Sequence, residues 1–320
     1  FAKVKSLGPD IEKIKNTLKE FGNDHKYLIM GYPPFLKLFV DQSEVNFNNY
    51  DISFIFGGEP MSEGMRDYLF KKGIKKIYSS YGASDLELNI SSENPFTISL
   101  RRLIRQNEEL KKKLIKFTGA LPMIFQYNPS DFLIEINKNN EIITTICRPD
   151  YVAPKIRYNI HDIGHVMQYQ NIVKIITELN LQDKIRWSKT DLPVLFHYGR
   201  SNMTVSFYGS NISPNDVQES IFKVDKLAKI VNSYYINVDE NNDGDKQLII
   251  YLELVKNVST SIDTDNLSIL FFDALAETNQ DFKKSREMIK DSSKTTLIFC
   301  EFNADHFSKN DIKIKARYIN

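Results

Sequence analysis

The chain has 320 residues, of which 42% are hydrophobic and 12% aromatic. This composition can form a sizeable core, and the length predicts about two domains. Its 42 Lys and Arg residues against 41 Asp and Glu residues give a formal net charge of +1, which excludes bulk electrostatic attraction to nucleic acid or to an anionic membrane.

The first part of the chain alternates helix and strand patterns. Apolar residues at helical spacing predict a helix over residues 11–21, and the apolar run 27–30 predicts a short strand. Pro33-Pro34 then breaks the chain, and we expect a second helix to begin near residues 35–40. An α/β arrangement is therefore predicted from the start.

The clearest unit follows directly. Residues 52–56 predict a buried strand, Gly57-Gly58 a turn, residues 62–72 a helix and residues 75–79 a second strand. This order is a βαβ crossover, which makes the strands parallel. Because ligands of parallel sheets bind at the carboxyl ends of the strands, we expect a ligand site just after each of these strands.

The middle of the chain predicts a charged helix and a hairpin. Residues 101–116 are typical of a surface helix with a solvated basic face. Residues 132–136 and 141–146 flank a polar turn, which predicts two antiparallel strands. The predicted fold class is α/β, with a mixed sheet that contains βαβ units, followed by a small C-terminal α+β domain.

A domain boundary is predicted near residue 200. Ser213-Pro214 is typical of a helix N-cap followed by a first-turn proline. Beyond it we predict two strands at about 230–238 and 246–254, two helices at about 264–276 and 279–290, and another strand at 295–302. We therefore predict that residues 1–199 belong to a large domain and that residues 200–320 form a small mobile domain.

The two cysteines and the apolar segments bear on the cell compartment. Cys147 and Cys300 lie far apart and match no metal or redox spacing, so both are predicted to be small core residues in a reducing compartment. No apolar run has the length of a membrane span, and no signal-peptide pattern opens the chain. A cytoplasmic location without a membrane partner is the resulting expectation.

Two segments at the strand ends carry residue types suited to a ligand. Gly57-Gly58-Glu59 lets a ligand approach the backbone closely, although a tight turn is the simpler interpretation. Tyr81-Gly82-Ala83-Ser84-Asp85 combines an aromatic face, a flexible hinge, a hydroxyl and a carboxylate. Together they could hold a base, a phosphate and a metal ion.

Two further positions suit a sugar or a phosphate. Residues 157–164 place Asp162 in a Gly-containing turn, where its carboxylate could accept two sugar hydroxyls; a solvated turn aspartate is the alternative. Arg200 presents a planar guanidinium suited to phosphate or ribose, although alone it would be an ordinary surface arginine.

The order of these motifs resembles the adenylate-forming superfamily over nearly the whole chain, and is most similar to the phenylacetate–CoA ligases and their capsule-associated relatives. The segments that carry the resemblance are Gly57-Gly58-Glu59-Pro60, Tyr81-Gly82-Ala83-Ser84-Asp85, Arg157-Tyr158-Asn159-Ile160-His161-Asp162, Gly199-Arg200 through Asn211-Ile212-Ser213-Pro214, and Lys315-Ala316-Arg317. Each is weak alone, and their common order makes the resemblance strong.

The resemblance implies a role for each matched residue. Gly57, Gly58 and Glu59 would line the adenine pocket, and Tyr81 would pack on the base with Gly82 beside it. Ser84 would face the phosphates, and Asp162 would bind the ribose hydroxyls. Asp85 would hold Mg²⁺. Arg200 would lie at the domain junction near the ribose, and Lys315 would approach the reacting carboxylate; these two are the implied catalytic residues.

The implied function is an ATP- and Mg²⁺-dependent ligase. It would activate a small or medium carboxylic acid as the acyl-adenylate and pass the acyl group to CoA or another acceptor. Homodimerisation is left open. The alternative is a degenerate homologue that binds nucleotide or a partner without chemistry, because Asp85, His161 and Asn202 stand where the family carries Glu, Gly and an acidic residue.

One family motif is missing from the sequence. No Ser/Thr/Gly-rich loop closing on Lys, which would cradle the β- and γ-phosphates, occurs among the 320 residues. In the family order this loop would precede Phe1. We therefore expect the chain to be the C-terminal portion of a longer protein and to be inactive by itself.

Overall fold

A computed structural model describes residues 3–117, 119–149, 152–200, 204–240, 246–258, 262–289 and 291–304, together with Phe307 and Tyr318. Of Arg200, Glu240 and Ser292 it describes the backbone alone. The chain divides into two compact units. The first consists of Phe1–Ile77 with Val205–Asn320, and the second of Tyr78–Thr204.

The helices and strands of the described residues follow one another along the chain. Up to residue 200 they are α1 Ile11–Phe21, β1 Lys26–Gly31, α2 Pro33–Gln42, β2 Asp51–Phe56, α3 Glu63–Lys71, β3 Lys76–Ala83, β4 Glu87–Ser92, α4 Pro95–Gln106, α5 Glu108–Leu114, β5 Met123–Gln126, β6 Phe132–Ile136, β7 Glu141–Ile146, β8 Tyr158–Met167, α6 Tyr169–Glu178 and β9 Val194–Arg200. The later ones are β10 Val205–Phe207, β11 Ser210–Ile212, α7 Pro214–Lys223, α8 Asp225–Ile230, β12 Val231–Glu240, β13 Lys246–Leu254, α9 Thr264–Thr278, α10 Gln280–Ile289 and β14 Thr295–Cys300.

The N-terminal segment of the first unit forms the predicted α/β arrangement. β1 and β2 pair in parallel, with Lys26 opposite Asp51, and α2 connects them. The helices begin where the sequence has capping residues: Asp10 accepts from the Lys13 amide at the start of α1, and Ser62 accepts from the Met65 amide at the start of α3. The predicted order strand, turn, helix, strand over residues 52–79 is confirmed.

The C-terminal segment of the same unit has an α+β arrangement. β12 pairs with β13 in antiparallel fashion and β13 pairs with β14 in parallel, which makes a three-stranded sheet. Its core is apolar and fully buried, as at Phe207, Phe271 and Phe282. The predicted boundary at residues 199/200 lies at the end of β9 and stays a prediction.

The second unit is built on antiparallel strands. Its strand order is β3-β4-β5-β9-β8-β7-β6, and each described neighbouring pair is antiparallel. The predicted hairpin over 132–146 is confirmed as β6 and β7. Helices α4, α5 and α6 bury one apolar face in a core that includes Phe96, Ile104 and Ile172. With parallel and antiparallel strands both present, the predicted mixed α/β class is confirmed.

The predictions for residues 101–116 and for the two cysteines are wrong. The charged helix predicted over 101–116 is two helices, because the Asn107 side chain caps a new helix by accepting from the Leu110 amide. Arg101 is 2% exposed rather than solvated, and its guanidinium donates to the Leu121 carbonyl. Cys147 is exposed and Cys300 half-buried, so neither is the fully buried core residue expected. Within the described residues, no helix combines the length and the apolar character needed to cross a bilayer.

Candidate functional site

Three side chains from three different strands meet in the second unit. The Tyr81 hydroxyl on β3 donates a hydrogen bond of 2.8 Å to Oδ2 of Asp162 on β8. His197 on β9 places Nε2 3.2 Å from the same Oδ2, and its ring centroid lies 4.5 Å from that of Tyr81. We call these three residues the Asp162 cluster.

The Asp162 cluster is shielded from solvent. Asp162 is 5% exposed and Tyr81 7%, and the His197 side chain is 13% exposed. A buried carboxylate is costly unless polar groups face it, and the Tyr81 hydroxyl supplies one such group. The Tyr81 ring also stacks on Phe125, at a centroid distance of 5.8 Å. Asp162 and Tyr81, both predicted to bind nucleotide, are therefore in direct contact.

Asp162 lies inside a strand, so the predicted turn around it is wrong. The backbone is nevertheless irregular there, because His161 has φ of +64° and the pairing with β9 shifts register between Ile163 and Gly164. A Cβ at Gly164 would lie 2.6 Å from Cδ1 of Ile142 and 2.8 Å from the Phe196 carbonyl oxygen, so only glycine fits. Beside this irregularity, Asp162 is 5% exposed.

His161 has an acidic partner on the neighbouring strand. Its Nδ1 lies 2.9 Å from Oε1 of Glu141, and Oε2 of Glu141 accepts from the side-chain amides of Asn137 and Asn159. Hydrogen bonds from His161, and then from the two asparagines, lower the pKa of Glu141 to about 2. The family glycine expected here corresponds to a left-handed backbone position, which His161 occupies at a conformational cost.

The segment after Tyr81 contains a tight approach between β3 and β4. A Cβ at Gly82 would overlap the Glu87 carbonyl oxygen and the Leu88 backbone, so this glycine is required by packing. Ser84 and Asp85 that follow are exposed. The Tyr158 hydroxyl donates to Oδ2 of Asp85 over 3.2 Å, and the Asp85 carboxylate in turn raises the pKa of Tyr158.

The Gly57-Gly58-Glu59 segment belongs to the first unit. Gly58 has φ of +79°, and a Cβ there would overlap the Tyr32 ring, so conformation and space both require glycine. Oε2 of Glu59 accepts a 2.9 Å hydrogen bond from the Tyr318 hydroxyl. This geometry is compatible with a tight turn and also with a backbone segment that a ligand approaches closely.

The remaining predicted site residues are Lys315 and Arg200. Lys315 and Asn202 lie outside the described residues, and so does the Arg200 side chain. The Arg200 backbone pairs with that of Asp162 between β8 and β9. Among the residues that are described, no group of three or more His, Cys, Asp and Glu side chains is arranged to hold a metal ion. The roles of Lys315, Arg200 and Asp85 stay predictions.

Sequence reasoning gave no role to His197 or Tyr318, which lie against the predicted site residues Asp162 and Glu59. His197 ends an apolar run just before Gly199-Arg200, and it is the one polar side chain in the stretch 192–197. That isolation was the available indication. Tyr318 stands three positions after Lys315 in a segment without a repeating pattern, and its partner Glu59 is remote in the chain.

No protein-family model and no curated protein sequence matches the chain. Solved structures match it. A 2-hydroxyisobutyryl-CoA ligase in the postadenylation state, in complex with R3-HIB-AMP, aligns at 12% identity and a TM-score of 0.65, over 100% of this chain and 58% of that one. The anthranilate CoA ligase AuaEII in complex with anthranoyl-AMP aligns at 9% identity and a TM-score of 0.52, over 93% of this chain and 50% of that one. McyG A-PCP in complex with phenylalanyl-adenylate aligns at 10% identity and a TM-score of 0.50, over 95% of this chain and 50% of that one.

These similarities define the class of fold. The chain has the mixed α/β fold of the adenylate-forming ligases. It spans 58% of the length of the 2-hydroxyisobutyryl-CoA ligase and 50% of the other two proteins. At 9–12% identity the likeness concerns the fold alone.

Proposed function

We propose that this chain binds ATP and AMP as part of a ligase that activates a carboxylic acid as its acyl-adenylate and passes the acyl group to CoA or another acceptor, in the manner of the phenylacetate–CoA ligases. The observation that carries the proposal is the contact between Tyr81 and Asp162, two residues that the motif resemblance assigns to one nucleotide. The fold shared with proteins solved with acyl-adenylates supports it.

Asp162 is the proposed ribose-binding residue. Its carboxylate oxygens accept hydrogen bonds from hydroxyl groups, as Oδ2 already does from Tyr81. The 2′- and 3′-hydroxyls of a ribose are donors of the same kind. In a shielded site each such bond to a charged acceptor is stronger than a neutral one. Gly57, Gly58, Glu59 and Gly82 keep their proposed places around the nucleotide on the motif resemblance.

Ser84 and Asp85 are proposed to face the phosphates and Mg²⁺. Both are exposed, so an incoming nucleotide can reach them. Mg²⁺ is usually held by one or two carboxylates together with substrate phosphates, and a single carboxylate such as Asp85 fits that requirement. The ion would supply positive charge where the attacking carboxylate and the α-phosphate approach each other.

In the proposed reaction, a carboxylate oxygen of the acid attacks the α-phosphorus of ATP. The new oxygen–phosphorus bond replaces the bond to pyrophosphate, which leaves. Arg200 and Lys315 are proposed to offset the negative charge that accumulates there, Lys315 from the mobile domain of residues 200–320. A thiol or other nucleophile then attacks the acyl carbon, and AMP leaves.

The proposal is tested first by binding. We expect the folded 320-residue chain to bind AMP in isothermal titration calorimetry, and Asp162→Asn to weaken this binding about tenfold, because a neutral amide is a poorer acceptor. A folded chain that binds neither AMP nor ATP contradicts the proposal.

Catalysis is tested separately by ATP–pyrophosphate exchange with aryl and fatty acids. We expect little exchange from the 320-residue chain, since no phosphate-cradling loop occurs in its sequence, and exchange from a protein that joins such a loop to it. Lys315→Ala in that longer protein should abolish most exchange while AMP affinity is kept. If the protein binds nucleotide but no acid supports exchange, the second candidate function, a non-catalytic homologue, is favoured. The hydrogen bond from Tyr158 to Asp85 suits that candidate, because it occupies the carboxylate proposed to hold Mg²⁺.

A further inference from the structure

His197 is the member of the Asp162 cluster to which no role has been given. Its Nε2 is buried and has no hydrogen-bond partner among the described residues, although it lies 3.2 Å from Oδ2 of Asp162. The two atoms are close enough for a hydrogen bond but are not aligned for one. A buried nitrogen without a partner lowers stability, so its presence beside a carboxylate calls for an explanation.

The surroundings of His197 fix its ring. The imidazole packs on Tyr81 at 4.5 Å between ring centroids and lies 6.4 Å from Phe125, edge to face. The neighbouring backbone is held as well, because His197 pairs with Met123 on β5 and with Gly164 on β8. The ring therefore contacts both the carboxylate and the aromatic residue that the proposed function assigns to the nucleotide.

We propose that His197 is a positioning residue for ribose recognition: its Nε2–H donates to Oδ2 of Asp162 when the sugar hydroxyls engage that carboxylate. This inference rests on the proposed function. In the structure, Oδ2 accepts from Tyr81. A second donor to the same oxygen keeps the carboxylate in place while ribose hydroxyls become its partners, and a fixed acceptor loses less conformational freedom on binding.

The inference predicts which ligand group is affected. Loss of the His197 donor should weaken ligands with 2′- and 3′-hydroxyls and leave ligands without them unchanged. We therefore compare AMP with 2′,3′-dideoxy-AMP by calorimetry on the 320-residue chain. The wild-type chain should prefer AMP by roughly tenfold or more, the effect of one charged hydrogen bond.

Three variants separate positioning from general packing. His197→Phe keeps a ring against Tyr81 and removes Nε2; we expect the preference for AMP to fall by about fivefold with dideoxy-AMP affinity unchanged. His197→Gln restores a donor and should recover part of the preference. The matched control is His165→Phe, because His165 is also a buried histidine with Nε2 unpartnered among the described residues, and it stacks on Phe196 instead of facing Asp162.

The outcomes distinguish the two proposals. If Asp162→Asn abolishes the preference and His197→Phe does not change it, the role of His197 is wrong and the proposed function stands. If the wild-type chain folds and binds no adenine nucleotide, or Asp162→Asn keeps the full preference, the proposed function fails and the role of His197 fails with it.

A spectroscopic measurement covers the case in which His197→Phe does not fold. In the ¹⁵N-labelled wild-type chain, the Nε2 resonance of His197 should shift on addition of AMP, as expected for a new hydrogen bond, and shift much less with dideoxy-AMP. His165 should not respond to either ligand. An equal response of His197 to both nucleotides overturns the inference.

Discussion

The Tyr318 hydroxyl donates a 2.9 Å hydrogen bond to Oε2 of Glu59, although 259 positions separate the two residues in the chain. The Tyr318 ring stacks on Tyr234 at 4.5 Å and 18°, and its carbonyl accepts from the Ile236 amide. Burial, with Tyr234 and Glu59 nearby, raises the pKa of Tyr318 well above its ordinary value. The hydroxyl therefore stays protonated and remains a donor to the loop that follows β2.

This contact predicts a graded effect of substitutions at Tyr318. Tyr318→Phe keeps the stack on Tyr234 and removes the donor, so we expect the free energy of unfolding to fall by about 1–2 kcal/mol. Tyr318→Ala also removes the ring and should cost about 3–5 kcal/mol. Urea denaturation followed by fluorescence measures both. A Tyr318→Phe variant as stable as the wild type would show that the bond to Glu59 contributes nothing.

The backbone at His161 predicts an unusual order of stabilities. His161→Ala loses the contact with Glu141 and keeps the left-handed conformation, whereas His161→Gly loses the same contact and relieves the conformational cost. We expect the glycine variant to be more stable than the alanine variant by about 1 kcal/mol. Thermal unfolding of the pair decides the matter, because at an ordinary strand position alanine would be the more stable.

The Glu141 carboxylate predicts a pH effect at low pH. Hydrogen bonds from His161 and two asparagines lower its pKa from 4.5 to about 2 in the folded chain. A lowered carboxyl pKa contributes stability that is fully present above pH 4.5 and is lost as the pH falls through about 2. The difference in melting temperature between wild type and Glu141→Gln should therefore be constant above pH 4.5 and shrink below it. A difference that does not depend on pH would contradict this cause.

The fold was predictable where local patterns decide it. Residues 52–79 carry a capping serine, an apolar run on each side and turn glycines, and the structure has the predicted β2, α3 and β3. Strand β8 was not predicted from the sequence, because polar residues interrupt the alternation that marks a strand and His161 adopts a positive φ. The burial of Arg101 was hidden for a different reason: its acceptor is the carbonyl of Leu121, a contact that no local pattern contains.

The candidate site was predictable as a set of residues and not as an arrangement. The motif order selected Tyr81 and Asp162, and the structure brings them together. It gave no reason to add His197, because a lone histidine in an apolar strand is most simply a packed core residue. Its contact with Asp162 depends on the pairing of β8 with β9 and on the register shift between Ile163 and Gly164. Such long-range register is not encoded in any single segment.

The last prediction concerns His165, a buried histidine whose ring lies parallel to that of Phe196 at 4.4 Å between centroids. Burial, and secondarily the charge of Lys116, lowers the pKa of His165 to about 4. A histidine with a lowered pKa takes up its proton more readily in the unfolded chain, so stability is full above pH 6.5 and falls as the pH drops from 6.5 towards 4. His165→Phe keeps the stack and removes the titrating group. We expect the wild type to lose on the order of 3 kcal/mol more than this variant between pH 7 and pH 4, measured by urea denaturation at each pH. Parallel stability curves for the two proteins would show that His165 is not the group responsible.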